Sequence, residues 1–423
     1  MLLQEQISQV IDDQRNDFLK KDVGLKREIL PDIPVVENFA TIITGLRRCG
    51  KSTLLLQLLK EKFADALFLN FEDIRLATFE TGDFERLLKE IKNRQIKVLF
   101  FDEIQLIAGW EIFIHHLLRD GYFVFITGSN ASLLSGEMAT HLTGRQLSVE
   151  LFPFSFSEFI RYKNVTADEE SVKTFLNTGG IPEYVKSNNT LLLNTLVDDI
   201  LIKDIAVRHG IKDIESLRQL ALYLVCNVGN LISANKLVDT FRIKSPSTLL
   251  EYFSYLKDAY LADFVPQFSY SLKTQARNPK KVYSIDTGIV RTLGLNFSDN
   301  QGHLLENAVY LHLRRTSKEI YYFKGKNECD FVVCQTGKIQ KVLQVCYELK
   351  PENLGREMKG LEEAMNFFGI SSGMIITFHQ KDSFTENGKQ IDVVPAYRFL
   401  NSEEISELNI EYKIKRFLQS PTG

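Results

Sequence analysis

Cysteine is scarce and scattered in this chain, with five among 423 residues and no C-x-x-C pair. A disulfide framework is therefore not expected, nor a close-spaced thiolate zinc site, and the usage fits a reducing compartment. An excess of charge of either sign is also missing. Lys and Arg number 51 against 54 Asp and Glu, a net charge of −3, so any basic surface has to be local. No apolar run is long enough to cross a bilayer, and the opening Met-Leu-Leu-Gln-Glu-Gln lacks the basic-then-apolar pattern of a signal peptide. The expectation is a cytoplasmic protein without a membrane partner. Nor is there a second acceptor-substrate signature of the kind a metabolic kinase would carry.

What is present is ordinary globular composition, 44% hydrophobic and 25% charged, in a chain too long for one core. Four regions are expected. Residues 1–30 form a helical lead-in, with Leu3, Ile7, Ile11 and Phe18 at helical spacing, closed by Pro31-Asp32-Ile33-Pro34. Residues 31–160 alternate short β-runs (39–44, 66–70, 97–101, 123–127 and 147–151) with helices, the pattern of a mostly parallel sheet. Residues 161–290 are mainly helical, and residues 291–423 mix helix and strand again.

The most informative stretch reads Gly45-Leu46-Arg47-Arg48-Cys49-Gly50-Lys51-Ser52-Thr53, a G-x-x-x-x-G-K-S loop between a β-run and a helix pattern. Glycines let the backbone wrap an anion at a helix amino end, Lys51 reaches outer phosphates, and Ser52 can ligate Mg²⁺. A second stretch, Val98-Leu99-Phe100-Phe101-Asp102-Glu103, delivers two carboxylates at the carboxyl end of a buried strand. Asp102 is the candidate for holding Mg²⁺ and Glu103 for orienting and deprotonating an attacking water, so ATP hydrolysis is expected. Ser129 and Asn130, ending the next strand, are candidates to touch the γ-phosphate or the water. Arg145 is a candidate trigger acting in trans on a neighbouring subunit's nucleotide, which implies a homo-oligomer.

Further on, helix patterns over 231–241 and 248–261 flank Ser245-Pro246-Ser247, and β-runs over 264–270 and 280–285 come after them. Helix, turn, helix and hairpin make a winged-helix pattern. Between 268 and 283 stand Lys273, Arg277, Lys280 and Lys281 with no acidic residue, a basic tip that could contact DNA phosphates. In the last region a helix carries Glu306, a β-run carries Asp330, and a strand over 341–349 is expected to place Glu348 and Lys350 on one face. Asp, Glu-x-Lys and a helix carboxylate are what metal-dependent phosphodiester cleavage requires, although an edge-strand charge pair, such as Glu348 with a neighbouring Lys, is the plainer reading.

In order along the chain, these landmarks resemble a family of prokaryotic AAA-type ATPases. They include 45–53, 99–103, 126–130, Leu142-Thr143-Gly144-Arg145, the linker Glu150-Leu151-Phe152-Pro153-Phe154-Ser155-Phe156, Gly179-Gly180-Ile181-Pro182, 304–313, 329–333 and 347–350. In that family the carboxyl-terminal domain, of unknown function and numbered 4143, looks like a restriction endonuclease. The resemblance implies an α/β multidomain fold: a P-loop AAA-type nucleotide domain, a helical and winged-helix middle, and an α/β endonuclease-like end. It also implies ATP and Mg²⁺ as cofactors. Two functions arise as expectations. In one, ATP hydrolysis controls a nuclease-like or nucleic-acid-binding module. In the other, the protein is an ATP-dependent switch that docks DNA or a regulatory protein partner through an inactive nuclease-like domain.

Overall fold

The computed structural model describes residues 1–128, 144–241, 243–294, 301–386 and 388–401. The chain divides into two compact units. One comprises Met1–Pro153 with Ile202–Gly210 and Asp258–Tyr260; the other holds Phe154–Leu201, Ile211–Lys257 and Leu261–Gly423.

The first unit is built on a five-stranded parallel sheet ordered β2-β3-β4-β1-β5. Its strands are β1 (Ala40–Thr44), β2 (Leu67–Asn70), β3 (Val98–Asp102), β4 (Phe123–Gly128) and β5 (Gln146–Glu150), each within one residue of the β-run read in the sequence. Near-continuous apolar strands such as Val98-Leu99-Phe100-Phe101 suit a sheet covered on both faces. Among the described residues, helices of this unit include α1 (Gln4–Lys20), α2 (Lys51–Lys62), α3 (Asp83–Asn93) and α4 (Trp110–Arg119). α1 buries Ile7, Val10, Ile11 and Phe18 within this unit, so the lead-in belongs to the same body as the sheet. Leu3, expected on that apolar stripe, instead flanks the helix start and is exposed.

The second unit starts with helices, among them Phe156–Lys163, Glu169–Thr178, Thr190–Asp199 and Ile214–Cys226. Next comes a small antiparallel sheet ordered β6-β8-β7, from β6 (Leu231–Ile232), β7 (Ala262–Pro266) and β8 (Lys280–Ser284), with the helix Pro246–Asp258 before the hairpin. Two local expectations change. The helix read over 231–241 is a short strand followed by the helix Ala234–Leu237, because Leu231 and Ile232 gain partners in Lys281 and Lys280. The hairpin connection is not a plain loop but carries the helix Leu272–Arg277.

The remainder of this unit centres on a six-stranded mixed sheet ordered β13-β14-β12-β11-β10-β9. Its strands are β9 (Glu319–Lys324), β10 (Glu328–Gln335), β11 (Lys338–Val345), β12 (Ser372–Thr377), β13 (Asp382–Glu386) and β14 (Lys389–Pro395). The helices Gln301–Arg314 and Pro351–Phe368 accompany it. Apart from Ile202–Gly210 and Asp258–Tyr260, regions 161–290 and 291–423 thus fall in one compact unit. Within it, the buried Asp286 carboxylate accepts from Gly180 N at 2.6 Å and from Gly288 N at 2.9 Å, pinning the turn read at Gly179-Gly180-Ile181-Pro182. Among the described residues, no helix is long and apolar enough to cross a membrane.

Candidate phosphate-binding site and a buried lysine cluster

β1 is wholly buried and ends at Thr44, so the chain leaves the sheet into the loop at the carboxyl edge, where open α/β sheets present ligands. Gly45 is required by space: a Cβ there would lie 2.1 Å from Leu151 O. Gly50, at φ +100°, precedes the first residue of α2 in a left-handed conformation that favours glycine. Lys51 is buried, and its Nζ donates to Gly45 O and Leu46 O, each at 3.0 Å, inside the curl of its own loop.

Three side chains from elsewhere hold this loop. Arg27, buried, donates to Cys49 O at 2.9 Å and to Phe152 O at 2.6 Å, tying the loop to the strand exit beside it. Tyr260 Oη and Thr44 Oγ1 share a hydrogen bond of 2.7 Å. Arg47 is gripped at both ends by Asp204, Nη2 to Oδ1 at 2.7 Å and Nε to Oδ2 at 3.1 Å, and this pairing raises its pKa despite partial burial. None of Arg27, Asp204 and Tyr260 belongs to a motif. Only tertiary structure brings them to the loop, and a lone Arg in a charged lead-in carries no local signal.

At the end of β3, Asp102 is buried and accepts from Ser52 Oγ at 2.7 Å and from Thr127 Oγ1. The register explains the second contact, since Asp102 lies directly opposite Thr127 on β4. Glu103, next in line, adopts a left-handed backbone at φ +54°, unusual for a carboxylate residue and common at functional turns. Burial pushes its carboxyl up to about 7; Lys51 pulls it down, while Asp102 and Glu72 push it further up. Gln105 donates to it as well. A backbone curl with no room for a Cβ, a buried ammonium inside it and a Ser–Asp pair beside it form a donor set that fits a nucleoside triphosphate with Mg²⁺.

Ser129 and Asn130 lie outside the described residues. Arg145 directly precedes β5, at the amino edge of the sheet, where its carbonyl accepts from Ala40 N at 3.0 Å. The phosphate loop leaves from the opposite edge.

In the second unit, Glu306 and Asp330 do come together, around a residue expected elsewhere. Lys281, read as a nucleic-acid contact, is buried, and its Nζ lies 2.7 Å from Asp330 Oδ1, 3.1 Å from Glu306 Oε1 and 3.1 Å from Glu328 Oε1. Its position on β8 turns it inward. Burial opposes its charge, but Asp330, Glu306, Tyr283 and Glu328 around it outweigh that and hold its pKa well above the usual lysine value. Tyr283 Oη donates to Glu306 at 2.7 Å, and burial pushes Glu306 up to about 7, against the pull of Lys281.

Glu348 and Lys350 do not join this cluster. β11 ends at Val345, short of both, because the chain turns out of the sheet towards the helix that starts at Pro351. They are exposed and paired with each other, Lys350 Nζ to Glu348 Oε2 at 2.9 Å. The neighbour of Asp330 on β11 is Gln344, whose Oε1 accepts from Asp330 N at 3.2 Å, and Cys346 lies two residues further on. An amide and a thiol therefore stand where the cleavage pattern needs a carboxylate and a lysine. Among the described residues, no group of three or more His, Cys, Asp or Glu side chains is placed to hold a metal ion.

Of the remaining basic residues, Lys273 and Arg277 are exposed on the helix Leu272–Arg277. Lys280 is half-buried, its pKa lowered by that burial and by Lys257, with Asp263 acting the other way.

Comparison with known proteins agrees with the first unit. Residues 37–160 match the family described as AAA domain. An uncharacterised protein of Methanocaldococcus jannaschii is 34% identical over 417 residues, covering 90% of this chain and 92% of that protein. An uncharacterised protein of Haemophilus influenzae is 33% identical over 338 residues, covering 75% of this chain and 84% of that one. The chain belongs to this family of AAA-domain proteins.

Hydrolysis of ATP is a family-level property of the AAA domain, and the loop, Asp102 and Glu103 all lie within the matched range. Residues 169–301 match a domain of unknown function numbered 8612, not the 4143 expected from the resemblance, and the match covers the middle of the AAA-domain protein rather than its end. Among solved structures, the chain is similar to Cdc6p from Pyrobaculum aerophilum at 13% identity and a TM-score of 0.25, covering 72% of this chain and 93% of that one. It is similar to an S. cerevisiae Hsp104:casein complex at 14% identity and a TM-score of 0.27, covering 64% of this chain and 60% of that one. Likenesses that loose carry no weight for substrate or partner.

Proposed function

We propose that the protein is an ATP-driven switch whose second unit docks single-stranded nucleic acid without cutting it. The observation that carries this reading is the ammonium of Lys281 among Glu306, Glu328 and Asp330, with Gln344 and Cys346 beside it. A cation supplied by the chain fills the place where a cutting enzyme would gather a metal, and the Glu348–Lys350 pair is spent on the surface.

In the first unit, the backbone of Gly45–Thr53 and the Lys51 ammonium hold the phosphates, and Ser52 with Asp102 would hold Mg²⁺. Bound there, the ion draws off the charge that builds up on the phosphoryl oxygens. Glu103 accepts the proton of the attacking water; with its pKa near 7 it is a competent base at neutral pH. Arg145, at the edge away from its own loop, is proposed to act on a neighbouring subunit, and assembly would then accompany nucleotide binding.

The docking surface is argued from the chemistry of the wing-like hairpin. Phe268, Tyr270, Phe367 and Phe368 form a connected set of rings, with Tyr270 83% and Phe367 52% exposed and tilted 30° to one another. Lys273 and Arg277 stand on the adjacent short helix, in a stretch without acidic residues. Exposed rings for bases beside cations for phosphates fit single strands. The test is an end-labelled oligonucleotide, incubated with the protein in Mg²⁺ or Mn²⁺. Salt-sensitive retention with the strand intact supports the reading, and metal-dependent cleavage of the strand overturns it.

A further inference from the structure

The first unit contains two segments whose flanking chain lies in the second, Ile202–Gly210 and Asp258–Tyr260. Each brings one polar side chain to the phosphate loop. Asp204, on the π-helix Ile200–Val207, takes Arg47 at the loop's crest. Tyr260 takes Thr44, the last strand residue before the loop. Tyr260 does so from a left-handed backbone at φ +60°, a costly conformation for a residue with a Cβ, held by its surroundings.

We propose that Asp204 is a positioning residue that couples phosphate occupancy of the loop to the second unit by competing with the phosphates for Arg47. The inference rests on reading 45–53 as the phosphate site. Arg47 is a single cation, and the Asp204 carboxylate, nearly buried, is its bidentate partner. A triphosphate adds several negative charges beside the same guanidinium. Phosphate therefore draws Arg47 away, and the carboxylate it leaves is unpaired in a site with little water. Such a group is expensive to keep buried, so the Ile202–Gly210 segment loosens and passes the change into the chain on either side. Tyr260 holds the base of the loop at Thr44, so the movement is confined to the crest. Coupling of this kind is reciprocal: whatever frees Arg47 from Asp204 tightens nucleotide binding.

The test uses the full chain with Mg²⁺ and a slowly hydrolysed ATP analogue. Asp204→Asn is expected to bind the analogue about fivefold more tightly than wild type, whereas a merely structural Asp204 would make binding weaker. Arg47→Ala should bind less tightly, and adding Asp204→Asn to it should change nothing further. In the wild-type chain, without any substitution, backbone amides of 202–210 should exchange faster when the analogue is bound, and this response should vanish in Arg47→Ala. If the wild type binds the analogue but Asp204→Asn gains nothing, or gains as much without Arg47, the coupling is wrong. Nucleotide-insensitive exchange over 202–210 also overturns it. If the wild type binds no nucleotide at all, the phosphate-site reading itself fails.

Discussion

Ser52 Oγ donates to Asp102 Oδ2 at 2.7 Å, joining the first turn of α2 to the end of β3. Two motifs fifty positions apart in the chain thus meet as one side-chain pair, and Glu103 stands directly beside it. The pair is the reason for reading the loop as the front of a hydrolytic site rather than as a binding site alone.

Glu103→Gln should keep nucleotide binding and lose turnover by roughly a hundredfold or more, the usual scale for removing a general base. In the wild type, a base with a pKa near 7 works only when deprotonated. ATPase kcat/KM should therefore rise with pH to a plateau above about 7, and a steady-state pH profile of both chains checks both statements.

Arg27 carries a different expectation. Its guanidinium satisfies Cys49 O and Phe152 O in a buried setting, and Arg27→Ala leaves both carbonyls without it. Urea unfolding should show a loss of about 3 kcal/mol, accompanied by weaker nucleotide binding because the loop loses its brace.

Much of this was legible in the sequence because it is local. A glycine loop between strand and helix, five apolar β-runs and an Asp-Glu pair at a strand end all announce themselves over a few residues, and the strands of the first unit lie within a residue of expectation. The braces of the loop were not legible, since Arg27, Asp204 and Tyr260 reach it only through tertiary packing. The second unit misled for a related reason. Glu348-x-Lys350 has the right spacing for a strand, but β11 ends at Val345, and spacing alone does not reveal where a strand stops. Lys281 looked like one basic residue among four; alternation along β8 turns it in towards three carboxylates.

The Glu306 cluster makes stability depend on pH in a definite direction. Its carboxyl has a folded pKa of about 7, above the ordinary 4.5, so the folded state binds more protons than the unfolded state between those values. Its contribution to stability is present in full below 4.5 and is lost as pH rises through about 7. Over that window the thermal midpoint of the wild type should fall more than that of Glu306→Gln, as differential scanning calorimetry of the two chains would show.

For the proposed docking surface, Tyr270→Ala should weaken binding of a single-stranded oligonucleotide by about tenfold through lost stacking, with little change in its salt dependence. Arg277→Ala should instead reduce the slope of log affinity against log salt by about one phosphate contact. Lys281→Ala should act on folding rather than on that slope, because its ammonium is buried among carboxylates. Fluorescence anisotropy across a salt series separates the three.

Nucleotide state is proposed to set how the second unit holds a single strand, with that strand left uncut. The most direct measurement is anisotropy of a labelled single-stranded oligonucleotide titrated with the full chain, once with Mg²⁺ and a slowly hydrolysed ATP analogue and once with Mg²⁺ and ADP. Kd values are expected to differ by about fivefold or more between the two states, with the strand recovered intact. Equal affinity in both states, or a strand recovered in pieces, would contradict the proposal.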